Sequence, residues 1–274
     1  MRAWIFSDLH RSDSCVPESL PVPDADICLC SGGVSRRGPE HAVKFLGEKV
    51  SSIMPVILVP GNFDYHRSSI IEGGRDAAIA AASYPNVHLL NRTTVFIGGF
   101  RFIGATLWGD AELAVSEGLR LFFARRDASD FLKIKLSRQP SRRFSSIELG
   151  TLKREDTDFI KTALGQSNDT PTVVITHHAP SRRSLPDTYL SACGLCRPTG
   201  DLETEIRRWK PEMWVHGNLR SRHDYYISKT RVICNPRGPR ECPVPDFDPG
   251  LVVELTSSCQ GKLEPVQRCD VSIS

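Results

Sequence analysis

The chain has 274 residues, 40% of them hydrophobic, with 35 Lys and Arg against 32 Asp and Glu and a formal net charge of +3. That apolar content suits one large core, so a single domain over residues 1–259 is expected, with a partly disordered tail at 260–274. The charge bias is too small to indicate nucleic acid or a membrane surface as partner. No stretch approaches the roughly 18 apolar residues of a membrane span, and the N-terminus lacks a secretion signal, so a cytoplasmic protein is expected.

Short apolar runs ended by polar or Gly-rich residues predict buried strands at Arg2–Phe6, Asp26–Cys30 and Pro55–Val59. Between the second and third, residues 39–53 predict a helix, with Pro39 in its first turn and Val43, Phe45, Leu46 and Val50 as its apolar stripe. Strand, helix, strand implies a parallel sheet with right-handed crossovers.

Further strands are predicted at Val87–Leu90, Thr94–Ile97 and Phe100–Ala105, the last two joined by a turn at Gly98 and Gly99. Residues 110 to about 136 read as helical in part, 138–143 as a basic loop, and Ser145–Leu164 as a long amphipathic helix. Strands at Thr172–Thr176, Met213–His216, Tyr225–Ser228, Arg231–Cys234 and Leu251–Leu255 complete the pattern. So many strands fit an α/β (α+β) arrangement of four layers, αββα, in which two mixed sheets pack face to face with helices outside.

The odd count of nine cysteines, with Cys28 and Cys30 inside an apolar run, predicts reduced thiols. Cys193 and Cys196 form a lone CxxC without a second pair or a His pair at zinc spacing, and read as two free thiols on a loop.

Ligand sites in such sheets lie beyond the carboxyl ends of the strands. The polar clusters there are Ser7–His10, Ser31–Gly38, Gly61–His66, Thr176–Pro180 and His216–Asp224. Asp8 and His10, two apart after a strand, can place a carboxylate oxygen and an imidazole nitrogen on one ion. Neither a nucleophile elbow nor a phosphate-binding Walker loop occurs.

In order, these clusters resemble the calcineurin-like metallophosphoesterases, whose blocks run D-x-H, G-D, G-N-H-D or E, H, and G-H-x-H. SDLH, SGGVSRRG, GNFDYH, THHAP and HGNLRSRHD are the matching segments, from Asp8 to about Pro249. The resemblance implies metal-dependent phosphoester hydrolysis, with two divalent ions bridged by an Asp and by the attacking water. By position, Asp8 and His10 match ligands of the first ion, and Asn62 and His177 ligands of the second.

Four other positions depart from the pattern. Gly33 stands where the bridging Asp belongs, Phe63 where the His of the third block belongs, and Asn218 and Arg220 where the two His of the last block belong. Glycine has no group to bridge two ions, Phe63 cannot protonate a leaving oxygen, and the Arg220 guanidinium repels a metal. The resemblance therefore implies weak hydrolysis with one ion, manganese, iron or zinc, rather than two. The alternative is an inactive phosphate- or partner-binding module in which Arg220 grips a phosphorylated small molecule through its fork of donors. Asp64 matches the acid that supports the missing His, and a water or Tyr65 is expected to satisfy it. His178, His216 and His223 read as structural, and Arg36, Arg37 and Arg182 as surface residues.

Overall fold

In the computed structural model, whose described residues are 1–11, 20–109, 130–166, 169–184 and 202–256, the first apolar run is strand β1 (Arg2–Phe6). Its Ala3 and Ile5 join one apolar cluster while Trp4 and Phe6 join another. Both faces are buried, which is why the run is apolar throughout instead of alternating.

Strands β2 (Ile27–Cys30), β3 (Val56–Leu58) and β4 (Val87–Leu89) continue parallel from β1. The second sheet holds β5 (Thr93–Ile97), β6 (Phe100–Ala105), β9 (Thr172–Thr176), β10 (Met213–His216), β11 (His223–Ile227) and β12 (Thr230–Cys234). Its order is β11-β12-β10-β9-β6-β5, with β6, β9, β10 and β12 parallel and antiparallel strands at both edges. A separate hairpin pairs β7 (Lys135–Ser137) with β8 (Arg142–Arg143). Strand β13 (Val252–Glu254) runs antiparallel to β1 and gives the first sheet the order β13-β1-β2-β3-β4.

Helices α1 (Pro39–Lys49) and α2 (Ile70–Ala82) cover the outer face of the first sheet, and α3 (Ser146–Gly165) and α4 (Glu203–Trp209) that of the second. Between the sheets, Ile5, Leu29 and Ile57 meet Phe102, Ile175 and Val215 in the central core. The four-layer sandwich is thus present, as expected.

Several predicted boundaries shift. The helix from Pro39 stops at Lys49 because the amides of Val50 and Ser51 both return to the Leu46 carbonyl and the Ser51 hydroxyl bonds the Gly47 carbonyl. Lys135 and Leu136, read as the end of a helical stretch, are strand, and the supposed basic loop contains β8. Glu72 of α2 fixes that hairpin by accepting from the Ser137 hydroxyl and the amides of Arg138 and Gln139. Helix α2 has no counterpart in the sequence reading, since its buried residues are only Gly73, Ala77 and Ala80.

Cys28, Cys30, Cys234 and Cys242 are free thiols. Cys193, Cys196 and the tail at 260–274 lie outside the described residues. Among the described residues, no helix is long and apolar enough to cross a membrane.

Candidate active site at the strand ends

The chain leaving β1 runs alongside the chain leaving β2. The amides of Asp8, His10 and Arg11 donate to the carbonyls of Gly32, Gly33 and Val34 at 2.8, 2.9 and 2.9 Å. Asp8 and His10 both sit in the left-handed region, with φ of 53° and 45°, a strained conformation held by this ladder that turns both side chains out of the strand direction.

Asp8 is buried, and its Oδ2 accepts from the Ser7 hydroxyl at 2.7 Å and the Asn218 amide at 2.8 Å. Its Oδ1 faces His10 Nε2 at 3.6 Å. Burial alone raises its pKa, but His10, His177 and the Ser7 hydroxyl outweigh that and hold the carboxyl well below the usual carboxylate range. The site therefore contains an ionised carboxylate with one oxygen not fully engaged.

Opposite, the buried His177 leaves β9 and reaches across to turns of the first sheet. Its Nδ1 donates to the Ser31 carbonyl at 2.6 Å, and its Nε2 lies 2.9 Å from Asn62 Oδ1. The approach depends on Gly61, where a Cβ would sit 2.4 Å from the His177 ring. The amide of Asn62 is oriented by its Nδ2, which donates to Asp130 Oδ2 at 2.7 Å. With Nδ1–H spent on Ser31, Nε2 of a neutral ring turns a lone pair toward the lone pairs of Asn62 Oδ1. Such a pair is satisfied by a proton on Nε2 or by a cation that both atoms coordinate.

Asp64 departs from expectation. It requires neither water nor Tyr65, because Oδ2 accepts from the amides of Gly33 and Gly61 and Oδ1 from those of Val34 and Ser35, each at 2.8 Å. Burial pushes its pKa up while the amides and His177 pull it down. A cage of four donors leaves no acceptor for a carboxylic proton, so the ionised form is the one that fits. Asp64 fastens the turn after β2 to the turn after β3.

The four departures from the motif are placed as follows. Gly33 has φ 74°, and a Cβ there would lie 2.7 Å from Asp8 Oδ1 and 2.9 Å from Asp8 Cα. Phe63 fills the space between two imidazoles, with ring centroids 4.1 Å from His10 and 5.2 Å from His66. Asn218, at φ 61°, meets Asp8 through its backbone amide. Arg220 is exposed in the loop after β10.

Of the other histidines, His216 is buried, its Nδ1 donating to the Gly217 carbonyl and its Nε2 accepting from the Ser184 hydroxyl at 2.9 Å. Burial pushes its pKa down to about 4. His178 pairs with the Thr106 carbonyl at 3.3 Å and His223 with the Ser221 hydroxyl at 2.9 Å. Arg36 and Arg182 are half-buried and Arg37 is exposed.

Two buried residues at the site escaped the sequence reading. Asp130 bonds Asn62 on one side and His66 Nε2 at 2.6 Å on the other, so His177, Asn62, Asp130 and His66 form one continuous chain. His66 stood in view within the third block. Asp130 is 68 positions from Asn62, with no local signal. Among the described residues, no three His, Cys, Asp or Glu side chains converge as a metal cage.

A family profile described as calcineurin-like phosphoesterase matches residues 1–218. The chain belongs to that family. Among solved structures, this calcineurin-like phosphoesterase superimposes on the phosphopantetheinyl hydrolase of Mycobacterium tuberculosis with a TM-score of 0.61 at 16% identity, covering 87% of this chain and 90% of that one. A putative 5'-nucleotidase from Staphylococcus aureus, solved with alpha-ketoglutarate, gives 0.42 at 10% identity over 87% and 48% of the two chains. GAP50, the anchor in the inner membrane complex of Plasmodium, gives 0.46 at 11% over 87% and 72%. No curated protein matches the sequence. The first likeness supports the fold, and the other two are too distant to carry more.

Members of this family use divalent metal ions on phosphoester substrates. A two-ion set does not fit the residues present, since position 33 offers no side-chain oxygen and Asp64, the nearby caged carboxylate, is spent on four amides.

Proposed function

We propose that this calcineurin-like phosphoesterase keeps its strand-end pocket as a binding place for a phosphorylated small molecule and has lost two-ion hydrolysis. Gly33 is the observation that carries this reading. Two like-charged ions a few ångströms apart need a shared anion, and the closeness of Gly33 to Asp8 leaves no room for a side chain that could supply one. Phe63 offers neither proton nor charge, which removes leaving-group help of roughly 10²- to 10⁴-fold. Arg220 brings a permanent positive charge to the loop after β10, and its donor fork suits a phosphate.

The facing lone pairs of Asn62 and His177 favour a second reading, slow hydrolysis with one manganese, iron or zinc ion. Such an ion would neutralise charge on the phosphoryl oxygens, held by Asn62 and His177, while Asp8 stays ionised on the adjoining turn.

Metal content after manganese loading, calorimetric titration with inorganic phosphate, and hydrolysis of an aryl phosphate test both readings together. The expected result is at most one ion per chain, phosphate binding weakened about tenfold by Arg220→Gln, and turnover near background. Turnover that needs one ion and disappears in His177→Ala selects the second reading. Two ions per chain, with turnover abolished by Asp8→Ala, would overturn the proposal. A phosphopantetheinyl ester, suggested by the name of the fold neighbour, is a suitable second probe.

A further inference from the structure

The Asn62 amide has two ways to face His177. One turns Oδ1 to His177 Nε2, so that two lone pairs meet across 2.9 Å. The other turns the NH2 group there, and an ordinary N–H···N bond closes the pair on itself. For these two side chains alone the second is better, yet the structure holds the first.

Asp130 makes the difference. Its Oδ2 stands 2.7 Å from Asn62 Nδ2 and its Oδ1 2.6 Å from His66 Nε2. An ionised carboxylate only accepts, so an amide turned the other way would set oxygen against oxygen. Bonds to a charged acceptor are roughly twice as strong as neutral ones, so the bond to Asp130 outweighs the one that Asn62 forgoes with His177. His177 Nδ1 is committed to the Ser31 carbonyl, which leaves Nε2 with its lone pair forward.

Asp130 is itself held from two directions. The Arg67 amide donates to the Lys133 carbonyl at 2.8 Å and the Lys135 amide to the Ser68 carbonyl at 3.0 Å, which ties the chain after Asp130 to the turn that carries His66. Ile134 shares an apolar cluster with Tyr65, and the Phe63 ring lies 5.2 Å from that of His66 between centroids. Asp130, His66, Asn62 and His177 are all buried, which keeps bulk water from these bonds.

We infer that Asp130 is a positioning residue that sets the specificity of this site: anchored by His66 and acting through the Asn62 amide, it makes the Asn62–His177 pair a two-acceptor site for a cation. The orientation follows from the bonds above, and its use in holding an ion rests on the one-ion reading of that pair. Outer partners of this kind are worth about 10- to 100-fold in ion affinity.

The test combines 15N NMR of the metal-free full chain with calorimetric titration of manganese. In the wild type, Asn62 Nδ2 and His177 Nε2 are expected to show no coupling across a hydrogen bond. In Asp130→Leu, which removes the acceptor and nearly keeps the volume, the amide turns and that coupling appears. Manganese affinity should fall about 10- to 100-fold in this variant. Asp130→Asn, whose carbonyl still accepts from Asn62 once His66 takes the tautomer that accepts from the new NH2 group, should restore most of it. Thermal unfolding checks that both variants fold. The coupling present in the wild type, its absence from folded Asp130→Leu, or unchanged manganese affinity in that variant would each overturn the inference. A wild type that binds no manganese sinks the one-ion reading alone, and the spectra then decide for or against Asp130.

Discussion

The Asp8 turn and the Gly61–Asp64 turn lie at the ends of β1 and β3, on either side of β2, and each buries a carboxylate, yet the two carboxylates are used in opposite ways. Asp64 divides four backbone donors evenly between its oxygens and has no capacity for anything else. Asp8 places both its donors on Oδ2 and leaves Oδ1 facing His10 at 3.6 Å. A motif acid is therefore framework or ligand according to how many donors the backbone has already aimed at it, which its position in the motif does not reveal.

Replacement is the sharpest way to separate the two. Asp64→Asn presents an NH2 group to two amides that need an acceptor, and should cost roughly 4 kcal/mol in urea unfolding. A loss below about 1 kcal/mol would mean that the cage is not structural.

Next in size is a pH effect from His216, on the neighbouring strand end. Its folded pKa of about 4 lies below the ordinary value of about 6.5, so the unfolded chain takes up a proton in that interval and the folded chain does not. Its contribution is complete above about pH 6.5 and falls by roughly 3 kcal/mol as the pH drops to about 4. Asp8, held below its usual range, adds its own loss only below about pH 4, where the unfolded carboxyl takes up its proton. Unfolding followed across pH should show two separate declines, the upper one flattened in His216→Gln.

Gly33→Asp tests whether the missing bridge can be put back. The left-handed backbone and the 2.9 Å approach to Asp8 Cα predict a loss of roughly 2 kcal/mol without a gain in metal content. Uptake of a second ion by this variant would contradict the reading of Gly33. The smallest effect belongs to Asp8→Asn, whose remaining oxygen still accepts from Ser7 and Asn218. About 1 kcal/mol is expected by the same urea measurement, and a loss matching that of Asp64→Asn would erase the distinction between the two turns.

The sandwich was legible because its strands are buried on both faces, so that runs such as Trp4–Phe6 and Val173–Ile175 stand out from the turns that end them. Helix α2 was not, since it presents Gly73, Ala77 and Ala80 to the core and no stripe of large side chains. The β7–β8 hairpin owes its form to Glu72, more than 60 positions away, and no local pattern announces it. At the site, the order of the five clusters placed Asp8, His10, Asn62 and His177 at neighbouring strand ends. The donors around Asp64, the Asp130 link and the packing of Phe63 between two imidazoles are tertiary facts without a sequence signature.

His177 belongs to the second sheet by its backbone, while its ring is bonded to Ser31 and Asn62 of the first. It acts as a rivet through the two plates of the sandwich at their open end. Anything that engages Nε2 meets Asn62 Oδ1 2.9 Å away, so an occupant of this site would touch side chains carried by both sheets at once.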